Sequence, residues 1–181
     1  MLGGPGDPVA TLREVEELRR RTRAAAHPVW FPVTVFGLLG LGACLAGVAG
    51  DGVGIGLFWL VAGPAGGWAT ARYYCKRARS LGVGVRGGAH VALGTALFVT
   101  AWVAGAATRS AAAPMLAIAV AHLGFARLER SWPVAALSAF LGAVVVVIVL
   151  SRPAHGDVLL TAAFGVSFTL TGLVLRPPSR A

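Results

Sequence analysis

From residue 30 onward the chain alternates between apolar runs of 16 to 21 residues and short polar connections. The runs are Trp30–Gly50, Val53–Ala71, Gly88–Ala107, Ala111–Ala126, Val134–Leu150 and Val158–Leu175, and none contains Lys or Arg. A hydrocarbon layer of about 30 Å is crossed by about 20 apolar helical residues. The pattern therefore predicts an all-α, polytopic transmembrane helix bundle of six spans. The fourth span is the shortest, with Pro114 in its first turn, where a proline is tolerated. Asp51-Gly52 leaves room only for a tight turn, so the first two spans should form an antiparallel hairpin. Pro153 and the stretch His155-Gly156-Asp157 separate the fifth span from the sixth.

Ahead of the spans, Met1–Pro8 is rich in Gly and Pro and is expected to lack regular structure. Asp7-Pro8 then reads as a helix start, and Thr11 and Glu14 have capping-box spacing. The expected helix, Val9 to Ala26, places Val9, Leu12, Val15 and Leu18 near one face and pairs Glu16 with Arg20 and Glu17 with Arg21. Arg19, Arg20, Arg21 and Arg23 follow. Such a helix suits a membrane surface, and it equally suits solvent ahead of the first span. Three regions result: a cytoplasmic segment 1–29 carrying a basic amphipathic helix, a six-span domain 30–175, and a tail 176–181.

Composition agrees with this division. The 181 residues are 56% hydrophobic and 13% charged, against about 25% charged in soluble domains. The net charge of +9 does not indicate a nucleic-acid partner, because it sits in connections beside apolar spans. Fourteen of the sixteen basic residues fall in the N-terminal segment, the second and fourth connections and the tail, leaving Arg109 and Arg152 on the other side. By the positive-inside rule both termini are expected in the cytoplasm. Trp30, Phe31, Trp68, Tyr73, Tyr74 and Trp132 fall where an aromatic belt would lie, whereas Trp59 and Trp102 are deeper and expected to pack. Fifteen of the sixteen basic residues are Arg, and Ala, Gly and Val abound. We read this as GC-rich coding and place the protein in a bacterial plasma membrane. The first run is longer than a usual signal-peptide core and another span follows at once, so it is expected to remain uncleaved.

Candidate chemistry is sparse. Asp51 and Asp157 read as turn and helix-start residues, and Glu129 between Arg127 and Arg130 as a solvated ion pair. His90 and His122 should lie at similar depth on antiparallel spans and form a candidate polar pair, able to titrate or ligate a metal. The simpler account has each imidazole reach headgroups or bond a neighbouring carbonyl. Gly63, Pro64, Gly66 and Gly67 mark a candidate helix break beside a cavity, as in transporters, or a packing kink. Arg72, Lys76 and Arg79 share a helical face if the second helix continues, and fit anionic headgroups or a soluble partner. Cys75, beside them, occupies a juxtamembrane acylation position, although an idle thiol is the simpler reading. Cys44 and Cys75 lie at different depths, so no disulfide is expected.

Small-xxx-small spacings at Gly63/Gly67, Ala43/Gly47, Ala101/Gly105 and Ala139/Ala143 predict tight packing without saying against what. Gly82, Gly84, Gly87 and Gly88 do not form a phosphate loop, since no Gly-Lys-Ser/Thr follows. The hydroxyls of Thr95, Thr100, Ser138, Thr161, Ser167, Thr169 and Thr171 can bond their own helix carbonyls. No catalytic set, cofactor site or metal site is expected. The expected role is a non-enzymatic accessory or self-associating membrane component, with lipids, a membrane-protein partner or a second copy as its contacts. The alternative is a small transporter or export component for a neutral or hydrophobic solute.

Overall fold

The computed structural model describes Val9 and residues 11–18, 28–82, 88–129 and 131–176; the side chains of 51, 52, 88–93, 125, 128 and 129 fall outside that description. The described chain is all-α. Its helices are α1 (residues 11–18), α2 (Trp30–Gly50), α3 (Val53–Ser80), α4 (Gly88–Thr108), α5 (Ala112–Glu129), α6 (Trp132–Ser151) and α7 (Gly156–Val174). The Arg19–Arg23 cluster, Gly84, Arg86, Gly87, Arg130 and the tail beyond Arg176 lie outside the described residues.

Helical backbone runs on from Trp30 to Ser80, 51 residues, but not as one rod. The rings of Phe31 and Tyr73 stack with centroids 3.9 Å apart. A straight helix would hold them about 63 Å apart. The chain therefore reverses between Gly50 and Val53, and α2 and α3 form the antiparallel hairpin expected of Asp51-Gly52. At the turn a Cβ on Gly54 would strike the Ala46 carbonyl, so only Gly fits.

Gly47 lies against Val158, and Asp157 bonds the Ser110–Ala111 turn, so the hairpin tip and the starts of α5 and α7 share one end. Trp30, Tyr73 and Arg176 meet at the other. Successive helices from α2 to α7 alternate in direction.

The packing divides these six helices into two groups of three. The hairpin packs most extensively on α7, whereas α4, α5 and α6 pack on their sequence neighbours. The two groups meet along α6–α7, with lesser contact between the hairpin and α4 and between α5 and α7. A central cluster joins Val33, Met115, Ala119, Leu137, Leu141, Val145, Leu160, Phe164 and Phe168.

Between α2 and α7 the backbones approach closely. Thr34 faces Gly172, Gly37 faces Thr169, Gly40 faces Phe164 and Gly165, and Gly47 faces Val158. Gly40 and Gly47, like Gly165 and Gly172, are two helical turns apart and so share a face. A Cβ on Gly165 would stand 2.6 Å from the Leu41 nitrogen, and one on Gly40 would stand 2.9 Å from the Gly165 Cα. Neither separation is tolerable, so the glycines set the interhelical distance.

The small-residue pairs fare differently. Ala43 is buried and Gly47 packs; Ala101 is buried and Gly105 meets Pro114; Gly67 faces open space, and Ala139 and Ala143 are exposed. Because Ala101 and Gly105 turn inward, Trp102 on the same helix is 44% exposed rather than packed in the interior. Among the hydroxyls, Ser138 and Thr161 donate to Val134 and Asp157 carbonyls at 2.8 and 2.7 Å, and Ser167 donates to the Phe164 carbonyl at 3.2 Å. Thr169 departs from that pattern. Its buried oxygen has no hydrogen-bond partner among the described residues and lies 2.6 Å from where a Gly37 Cβ would be, against the Gly37 Cα hydrogens.

The exterior is aliphatic, with Leu150 at 78% and Val174 at 83% exposure. A bundle with this surface matches a hydrocarbon solvent and not water. By length and composition α2, α3, α6 and α7 are able to cross a membrane. The described apolar stretches of the other two, Gly94–Thr108 and Ala112–Gly124, are shorter.

Candidate functional site

The helix through Gly63, Pro64, Gly66 and Gly67 is continuous, with Pro64 inside it. Losing one backbone hydrogen bond does not break a helix whose neighbours hold it in place. The glycines serve packing. Gly63 forms a notch filled by the Phe98 ring of α4, and Gly66 receives Leu39 of α2. Pro64 and Gly67 face outward. A groove of about 520 Å³ lies elsewhere, open to the exterior between α4 and α5 and lined by Ala96, Thr100, Ala113, Ala117 and Ala121 among others.

His122 is on α5, with Nδ1 2.9 Å from the Ile118 carbonyl and its ring edge-on to Phe168 at 5.0 Å. The backbone of His90 is in α4, and its side chain lies outside the described residues. Glu129 is the last residue of α5, not a loop residue, and its side chain also lies outside them. No group of three or more His, Cys, Asp or Glu is placed to hold a metal among the described residues.

Because α3 runs past Ala71 to Ser80, Arg72, Lys76 and Arg79 do share a helical face, and all three are exposed. The Arg72 guanidinium lies 5.2 Å above the Trp68 ring, and Arg176 lies 5.4 Å above Trp30. Pro28, Trp30, Phe31, Tyr73 and Tyr74 join in one aromatic cluster, in which the Tyr74 hydroxyl donates to the Pro28 carbonyl at 3.3 Å. Arg77 and Arg79 sit in the last turn of α3 and Arg127 in that of α5, where helix dipoles favour cations. Cys44 and Cys75 are free and half-buried.

At the opposite end Asp157 stands in the first turn of α7, but its carboxylate bonds the start of α5. Oδ1 accepts from the Ala111 N–H at 2.8 Å and the Ser110 hydroxyl at 3.3 Å. Its place as the sole acidic residue beside the last span is visible in the sequence, but its partner is not. Deeper in the bundle Trp59 stacks on Phe36 and meets Phe164 edge-on at 6.0 Å, the packing expected of it.

Comparison with known protein families, characterised proteins and solved structures gives no match.

Proposed function

We infer that this is an integral protein of a bacterial plasma membrane, crossing it six times with both termini cytoplasmic, and that it acts as a non-enzymatic accessory or self-associating component of a membrane assembly. The observation that carries this reading is a core filled by apolar side chains, with the described charges held at the two ends. Arg72, Lys76, Arg77, Arg79, Arg127 and Arg176 gather at the end taken as cytoplasmic; Arg109, Arg152 and Asp157 stand at the other. α4 and α5, at 21 and 18 residues, are about 32 and 27 Å long and match the hydrocarbon thickness.

Val9, Leu12, Val15 and Leu18 of the N-terminal helix are exposed and lie against the cytoplasmic leaflet. The Arg72–Lys76–Arg79 face binds anionic headgroups there. Outward-facing Ala139 and Ala143 permit close approach by another helix.

Purification from membranes in mild detergent, followed by native mass measurement, tests the role. A reproducible second polypeptide, or a multiple of the 18.5 kDa chain mass, is expected. A lone monomer whose melting temperature rises with a neutral solute, and loses that response on Gly63→Leu, would favour transport instead.

A further inference from the structure

An apolar cluster joins the two three-helix groups, but apolar packing alone does not decide whether they stay together. In a bilayer, lipid tails solvate Leu and Phe about as well as neighbouring side chains do, so close backbone contact and polar bonds decide which helices stay together. The hairpin and α7 have their glycine seam. Helices α4 to α6 follow one another through short turns.

Between the groups, the Asp157 carboxylate accepts hydrogen bonds from Ser110 and Ala111. The Ser110 hydroxyl in turn accepts from the Ala112 N–H at 3.1 Å. The start of α5 is thus capped by a relay that ends on a different helix. The same carboxylate faces the positive N-terminal end of its own helix, whose N-cap residue His155 makes no side-chain cap. One acidic group therefore serves two helix starts in two different groups. The turn that presents Ala111 begins at Arg109 and the link into α7 begins at Arg152, with φ of 49° and 47°. Non-glycine residues are costly in this left-handed region, so both links are held away from their relaxed shape.

We propose that Asp157 is a latch between the two groups. Closed, it pins the start of α5 to α7. Released, it lets α4–α6 tilt away at that end, so that water enters a crevice between Met115 on α5 and Leu160 on α7. The latch depends on the bundle's geometry and not on which side of the membrane that end faces.

The test uses the full chain in membrane vesicles, with Cys44→Ala and Cys75→Ala as background and Met115→Cys as reporter. Reaction with a small water-soluble thiol reagent reads the opening. Asp157→Ala should raise the labelling rate about tenfold or more, the equivalent of losing a charge-assisted hydrogen bond. Asp157→Asn, whose carbonyl still accepts from Ala111, should stay within about threefold of the parent. Ala126→Cys, near the far end of the same helix, should remain protected in every variant. Equal rates for Asp157→Ala and the parent overturn the latch, as does labelling at both ends of α5. If Asp157→Ala fails to accumulate, Ser110→Ala removes one arm of the relay and must still raise the Met115→Cys rate severalfold; an unchanged rate overturns the proposal.

Discussion

Where α2 meets α7, the helices touch through Gly37, Gly40, Gly165 and Gly172. Where α5 and α6 join the core they do so through Met115, Ala119, Leu137, Leu141 and Val145. The first contact has almost no side chain between the backbones. It gains dispersion energy from many atoms at close range and tolerates no added atom. The second is an interdigitation of flexible side chains whose alternative partner is lipid, and it adjusts when one of them changes. Helices in one bundle can therefore be equally apolar and still respond very differently to substitution.

The largest expected effect comes from adding bulk to the seam. Gly165→Leu should destabilise by about 3 kcal/mol or more, read as thermal unfolding of the purified protein in detergent. Gly142→Leu on α6, where a side chain meets open space, should change stability by less than about 0.5 kcal/mol. Equal effects would erase the distinction between the groups. Removing bulk from the second group should matter less than filling the seam. Leu141→Ala, at 2% exposure, is expected to cost about 2 kcal/mol, since lipid or a neighbour can partly fill the space.

Two glycines four residues apart sharpen the comparison further, because their substitutions should have opposite signs. Gly63→Ala crowds Phe98 and should cost about 1 kcal/mol. Gly67→Ala adds a helix former facing open space and should stabilise by about 0.5 kcal/mol. A further small gain is expected at the end of α6. Arg152→Gly relieves a left-handed residue and should raise stability by at most about 1 kcal/mol.

The helices themselves were legible from hydrophobic run length, and the hairpin from Asp51-Gly52, because both depend on local chain properties. Partners were not. Small-residue spacing singled out Gly63/Gly67, of which only Gly63 is occupied, and passed over Gly37, Gly40, Gly165 and Gly172. A seven-residue repeat of Gly on the first and last spans was a readable signal, but matching two segments more than a hundred residues apart requires knowing that they are neighbours. The candidate break at Pro64, for which a packing kink is the alternative, illustrates the same point, since whether a proline interrupts a helix depends on what surrounds it. Asp157 reads as a local helix-start residue and stands in the first turn of α7, but its carboxylate also bonds the start of another helix.

Six spans require α4 and α5 to cross the membrane, and the position of Arg109 decides that. Arg109→Cys, in a chain with Cys44→Ala and Cys75→Ala, can be exposed to a membrane-impermeant maleimide in right-side-out and inverted vesicles, with Arg79→Cys as reference. Six spans predict that Arg109→Cys labels from the outside and Arg79→Cys only in inverted vesicles. Labelling of both from the same side would leave four spans and contradict the account.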